Sequence, residues 1–371
     1  MKKHVMMVLV LVLVLSACAP NFNKEEKVKT EDVDSNTTET AILPNYKISD
    51  DYYKVVVPFK PSEARGLVVN NLNTRYDIAE FETGLMRIAQ NAYDPEEYFF
   101  QEGQYLDKDT ISNWLGRESE KNPDGLNPSG KDRGKVPVYL AHILEHDYLV
   151  KTDDKSLKLG GISIGLAMNS VYTYEENGAA KELKIDRTKL EKEGKKIAAE
   201  VVKRIRGVEG LGQVPIIISL FEQKESSSVV PGNFFAYAKI AGNSNSIGDW
   251  ESINEKYVLF PSSDTKYKSE VDAFSYFKQD IEKYFPNFNG VVGRAFYVND
   301  KMQNLSIEIP IQFYGEAEAL GFTQFVAGKV MEHFPPNNSS SVQVSITSVY
   351  GPEALIVRDV DAEEPYIHIY Q

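Results

Sequence analysis

The sequence predicts an α+β fold: a mostly helical N-terminal module followed by two similar β-α-β-β units, with helices packed on mainly antiparallel sheets. Three observations predict it. Up to about residue 155 the apolar residues recur chiefly at helical spacing. Beyond it the apolar period passes from 2 to 3.6 and back to 2, and does so twice. Each passage carries one long amphipathic helix, enough to cover the apolar face of one sheet.

The 371 residues divide into five stretches. In residues 1–17, Lys2 and Lys3 precede an apolar run from Val5 to Leu15 and the small pair Ser16-Ala17. That order is a secretory signal peptide, and the run is short of the roughly 20 apolar residues of a membrane-spanning helix. Cys18 follows, the only cysteine in the chain. Leu15-Ser16-Ala17-Cys18 therefore reads as a lipobox, cleaved between Ala17 and Cys18, whose sulfur takes a diacylglycerol. Residues 18–45 read as a flexible acidic tether, because Asn23–Lys27 and Thr30–Thr40 hold almost no large apolar side chains.

Residues 46–155 form the predicted helical module. Tyr52 to Pro58 reads as a strand stopped by proline, and Leu67-Val68-Val69 as a second. Ile78, Phe81, Leu85, Ile88 and Ala92 share a helical face behind Asp77 and ahead of Pro95. A second helix, capped by Asp109 or Thr110, runs to Glu118. Asn122 to Arg133 is a loop, and a third helix spans Val138 to Asp147.

Residues 156–260 hold a strand (Ile162–Tyr174), a helix (Lys189–Arg206) with Leu190, Ile197, Val201 and Ile205 on one face, and two strands (Val214–Phe221, Phe234–Ile240). Residues 261–371 open with a helix, Asp264–Phe285, closed by Pro286. Strands Val291–Val298 and Leu305–Tyr314 follow. Then come a helix, Ala317–Phe334, with Leu320, Ala327, Val330 and Phe334 on a face, and strands Val342–Val349 and Ala354–Val360. The expectation is two sheets, one per unit; the alternative, which element order alone leaves open, is one larger sheet joined edge to edge.

The formal charge is −13, and loss of Lys2 and Lys3 with the leader takes it to −15. Such a chain is repelled by nucleic acid and by anionic lipid. Attachment to a membrane would then fall to the lipid on Cys18. A single cysteine makes no internal disulfide and no multi-cysteine metal site.

Two motifs carry catalytic readings. Gly161-Ile162-Ser163-Ile164-Gly165 matches the G-x-S-x-G nucleophile elbow, which needs a strand-to-helix turn. Leu166 to Tyr172 reads instead as continuing strand, so the plainer reading is a glycine-flanked strand. His142-Ile143-Leu144-Glu145-His146 matches H-x-x-E-H, and on a helix His142 and His146 would share a face and could bind one zinc. The plainer reading is two histidines on a helix over the core. Gly207 to Gly212 joins a helix to a strand, the reverse of a phosphate loop, and reads as a cap and turn. Asn304-Leu305-Ser306 and Asn338-Ser339-Ser340 fit the glycosylation pattern, but a bacterial lipoprotein gives them no such role.

Several blocks carry a resemblance: Val57 to Gly66, Arg75-Tyr76-Asp77, Glu80 to Met86, Gln101 to Leu106, Trp114 to Arg117, Gly125 to Pro128 and Tyr139 to Glu145. Together with the lipobox they resemble the CamS family, the sex-pheromone precursor lipoproteins of low-GC Gram-positive bacteria. The resemblance implies a lipid-anchored protein on the outer face of the cell membrane, met by lipoprotein-processing enzymes. It also implies a removed leader yielding a short apolar peptide that induces conjugation. The matching segment is Leu11-Val12-Leu13-Val14-Leu15-Ser16-Ala17, with leucine and valine where the pheromone pattern has an aromatic residue and isoleucines. The expected function is that of a non-enzymatic surface lipoprotein without cofactors. The alternatives are an exported zinc hydrolase using His142, Glu145 and His146, and an extracellular ligand-binding module.

Overall fold

The computed structural model describes residues 26–31, 38–65, 67, 74, 77–130, 136–153, 155–284, 290–312, 315–336 and 340–370. The leader, Cys18, the segment Leu11–Ala17, Val68-Val69 and Asn338 lie outside them. The first part runs β1 (Glu26–Glu31), β2 (Thr38–Leu43), β3 (Lys54–Val55), α1 (Ile78–Ala89), β4 (Tyr98–Glu102), α2 (Lys108–Leu115), β5 (Leu140–Lys151) and β6 (Ser156–Asn169). It continues through β7 (Val171–Glu176), β8 (Ala179–Lys184), α3 (Arg187–Ile205), β9 (Ile216–Gln223), β10 (Asn233–Ile240) and β11 (Glu251–Ser252). The second part runs β12 (Glu255–Phe260), a 3-10 turn (Thr265–Tyr267), α4 (Lys268–Tyr284), β13 (Val292–Val298), β14 (Lys301–Pro310), α5 (Glu316–His333), β15 (Ser341–Ser348), β16 (Gly351–Arg358) and β17 (Tyr366–Ile369).

The larger sheet has the order β11-β10-β9-β6-β5-β4-β3, with β1 joining the start of β6 and β2 pairing β1. It is covered on both faces. Phe81, Leu85 and Ile88 of α1 pack with Tyr148, Ile217, Phe221 and Phe234 on one side. Leu190, Ile197, Val201 and Ile205 of α3, and Trp114 of α2, pack with Ile143, Ile164, Ile216 and Ile218 on the other. The predicted stripe of α3 is thus buried as a unit, and each such side chain contributes about 1.5–3 kcal/mol. Asp186 caps α3 by accepting the Lys189 N–H at 2.9 Å.

The smaller sheet has the order β12-β13-β14-β15-β16-β17. Both of its helices lie on one face, where Phe274, Phe277 and Ile281 of α4 meet Phe322, Val326 and Val330 of α5 over Ile307, Val344 and Ile356. The two units share a plan. In the first, β5 and β6 are antiparallel, α3 crosses to a parallel β9, and β10 returns antiparallel. In the second, β13, β14, α5, β15 and β16 repeat those relations in that order. The repeat of element order is therefore a repeat of topology, in two separate sheets.

Four expectations are corrected. Residues 46–155 are not a mostly helical module: they hold two helices and three strands of the larger sheet, which runs on through residue 252. The helix expected from Val138 to Asp147 is strand β5. It is buried on both faces, so its apolar residues show no period of 2. Within the expected tether 18–45, residues 26–31 and 38–43 form a hairpin, which buries Val28, Ala41 and Leu43 against Leu149 and Leu157. Those few apolar residues suffice because a sheet edge receives them. Finally, Leu320 is 45% exposed, whereas Ala327, Val330 and Phe334 of the same expected stripe are buried, with Phe322 and Val326 turned inward beside them.

Candidate functional site: a cleft at the open edge of β5

β4 pairs β5 only from Tyr98 to Glu102, opposite Val150 to His146. Leu140 to Glu145 runs past the end of that partner. A cleft of about 410 Å³ opens there. Its walls are α1 (Ile78, Glu82, Met86), the segment Ser62–Arg65, the end of β4 (Phe100, Glu102) and β5 from His142 to His146, with Ile111 of α2. The volume falls in the lower part of the roughly 300–1,000 Å³ found for ligand sites.

Alternation along β5 assigns its side chains to opposite faces. His142 lies edge-on to Phe81 with ring centroids 6.0 Å apart, and His146 edge-on to Phe100 at 4.9 Å. Burial keeps both imidazoles neutral, pushing His142 down to about 4 and His146 down to about 3. The His146 Nδ1 has no hydrogen-bond partner among the described residues. On the other face, Glu145 accepts the N–H groups of Leu106 at 2.8 Å and Tyr105 at 3.3 Å. Asp147 accepts the Gln104 N–H at 3.0 Å, and its carboxyl interacts with that of Glu145. Burial pushes Glu145 up to about 7, against the pull of those N–H donors, and raises Asp147 further with help from the Glu145 charge. The pair holds a proton and pins the chain from Gln104 to Leu106.

This geometry removes the basis of the zinc reading. Four residue steps along the strand place the two histidine Cα atoms about 13 Å apart. Their side chains stand parallel, with Leu144 between them, and Glu145 points to the opposite face. A zinc ion bonded at about 2 Å to each ligand needs donors that converge. Among the described residues, the cluster with metal-ligating spacing is Asp280, Glu332 and His333, and Lys329 already occupies Asp280 at 3.0 Å. Ser163 lies mid-strand in β6, fully buried, with no helix after it. The rings of Tyr93 and Phe81 fill the space above Gly161 and Gly165, so these glycines serve close packing.

Glu82, Glu102, Arg65 and Met86 line the cleft; all four fall in the blocks that carry the family resemblance, but none of them is read there as a site residue. Ile78, Glu82 and Met86 do stand at successive intervals of four on α1, a signal that gains meaning only once β5 is read as a strand. Glu102 accepts the Ser62 N–H at 2.7 Å and meets Arg65 at 3.4 Å. Glu82 is pushed up by burial first and by Glu102 second, with Arg65 opposing.

The profile described as CamS sex pheromone cAM373 precursor matches residues 59–364. The crystal structure of a sex pheromone precursor from Lactobacillus salivarius subsp. salivarius UCC118 is 32% identical, with a TM-score of 0.80, over 88% of this chain and 98% of that one. The C-terminal domain of the sex pheromone staph-cAM373 precursor from Staphylococcus aureus is 31% identical, with a TM-score of 0.68, over 80% of this chain and 97% of that one. No curated protein sequence matches the chain. The matched profile spans most of the chain, including every wall of the cleft, and the chain belongs to the CamS family of sex pheromone precursors.

Proposed function

We propose that this chain is made as a lipoprotein precursor, cut between Ala17 and Cys18, and held on the outer face of the cell membrane by a diacylglycerol on Cys18. The observation that carries the reading is the single cysteine of the chain, placed directly after Leu15-Ser16-Ala17 behind a short apolar run. No helix among the described residues is long and apolar enough to cross a membrane. Two acyl chains on the glyceryl group, where one would hold only marginally, make the anchor stable. The released leader supplies Leu11–Ala17 as a short apolar peptide of the pheromone type, as the family description suggests. The folded domain works by binding rather than by catalysis, a reading favoured by the parallel, neutral histidines of β5.

Metabolic labelling with radioactive palmitate tests the anchor. The expected result is label on the unaltered protein and none on Cys18→Ala, which should leave the cells in soluble form. Label retained on the variant would overturn the assignment.

A further inference from the structure

The cleft has a charge pattern that the H-x-x-E-H spacing does not use. Glu82 and Glu102 bring two carboxylates to it and Arg65 one guanidinium. Arg65 is engaged by Glu102, while Glu82 makes no hydrogen bond or ion pair among the described residues. His142 and His146 add no positive charge, because burial leaves them neutral. A neutral imidazole still offers one donor and one acceptor, and the His146 Nδ1 is unmatched among the described residues. Between these groups the walls are apolar: Ile78, Met86, Phe100 and Leu144. The cleft is thus net negative at its rim and apolar inside.

We infer that this cleft binds a small ligand in which one ammonium group ends an apolar body. The ammonium sits between Glu82 and Glu102, and the apolar part lies against Met86, Phe100 and Leu144. A cation there relieves the repulsion between the two carboxylates, which a neutral or anionic ligand cannot do. Burial of the apolar body supplies the non-directional part of the affinity. The amino end of an apolar peptide and a simple alkylamine both present this chemistry. The inference rests on the reading of the domain as a binder, and its test is independent of the lipid anchor.

The test is calorimetric titration of the chain from Ala19 onward, which keeps every described residue, with leucyl-leucinamide, hexylamine and N-acetyl-leucyl-leucinamide. At least one of the two amines should bind, and the stronger of them identifies the source. Acetylation, which removes the charge and keeps the side chains, should cost at least about tenfold. Glu82→Gln should weaken the amines by a similar factor and leave the acetylated probe unchanged. Absence of amine binding at millimolar concentration, equal binding of the acetylated probe, or amine binding indifferent to Glu82→Gln would each overturn the inference. The acetylation comparison uses the unaltered chain, so it decides the matter even where the variant folds poorly. Failure here beside palmitate labelling of Cys18 would reject the ligand class and leave the lipid anchor standing.

Discussion

His142, Glu145, His146 and Asp147 are each at most 4% exposed, so desolvation governs their titration. The two kinds of group act on stability with opposite sign. The histidines are held below their ordinary value of 6.5, so their contribution is complete above it and is lost as pH falls toward about 4 and about 3. Glu145 is held above its ordinary value of 4.5, so its contribution is complete below 4.5 and is lost as pH rises through about 7. On the alkaline side, ionisation would leave a charged Glu145 carboxylate desolvated beneath the loop from Gln104 to Leu106, beside an Asp147 that still holds its proton. Glu145→Gln mimics the protonated form: its oxygen can accept the Leu106 N–H and its amide can donate to Asp147. Thermal unfolding of this variant should depend less on pH than that of the parent between about pH 6 and 8. The two proteins showing the same slope there would remove Glu145 as the source.

At the scale of elements, β5 and β6 show where sequence periodicity works and where it fails. A strand covered on both faces reads as a continuous apolar run, and Leu, Ala and Glu within β5 favour a helix locally. The tertiary cover from α1 and α3 decides against that preference, and no local signal reports it. In β6 the informative residues are glycines. A Cβ on Gly161 would lie 2.3 Å from Cε1 of Tyr93. That ring is fixed because its hydroxyl donates to the carbonyls of Ile162 and Pro215, each at 3.0 Å. Gly161→Ala should therefore cost about 1–3 kcal/mol, as overpacking does. Ser163→Ala should leave stability unchanged or raise it by up to about 1 kcal/mol, because its buried Oγ has no partner among the described residues. Denaturant titration of both variants checks the contrast, and a larger loss for Ser163→Ala would refute the packing account. The helices with a single apolar stripe, α1, α3 and α4, were legible within a few residues, since one face meets a sheet and the other meets water. The cleft was not: its walls come from α1, β4 and β5, and its placement depends on the strand that periodicity hides.

For the whole molecule, the question is what joins two sheets that each have their own core. The described contact is polar. Arg87 of α1 donates to both oxygens of Glu255 at the start of β12, at 3.0 and 2.8 Å, and to Glu80 at 2.8 Å. Its guanidinium also lies 4.6 Å from the ring centre of Phe296 on β13, and Tyr257 of β12 donates its hydroxyl to Glu80. The carboxylates are the more deeply buried partners, with side-chain exposure of 10% for Glu80 and 6% for Glu255 against 33% for Arg87. Removing the cation therefore strands two desolvated anions, which is costlier than losing an exposed pair. Arg87→Met should lower stability by about 3 kcal/mol and should open the segment around β11 and β12 to proteolysis. Adding Glu255→Gln removes one stranded charge, so the double variant should be more stable than Arg87→Met alone, although it carries one more substitution. Losses that simply add would mean that Arg87 acts at this junction through its packing on Phe296, with the charges screened by solvent.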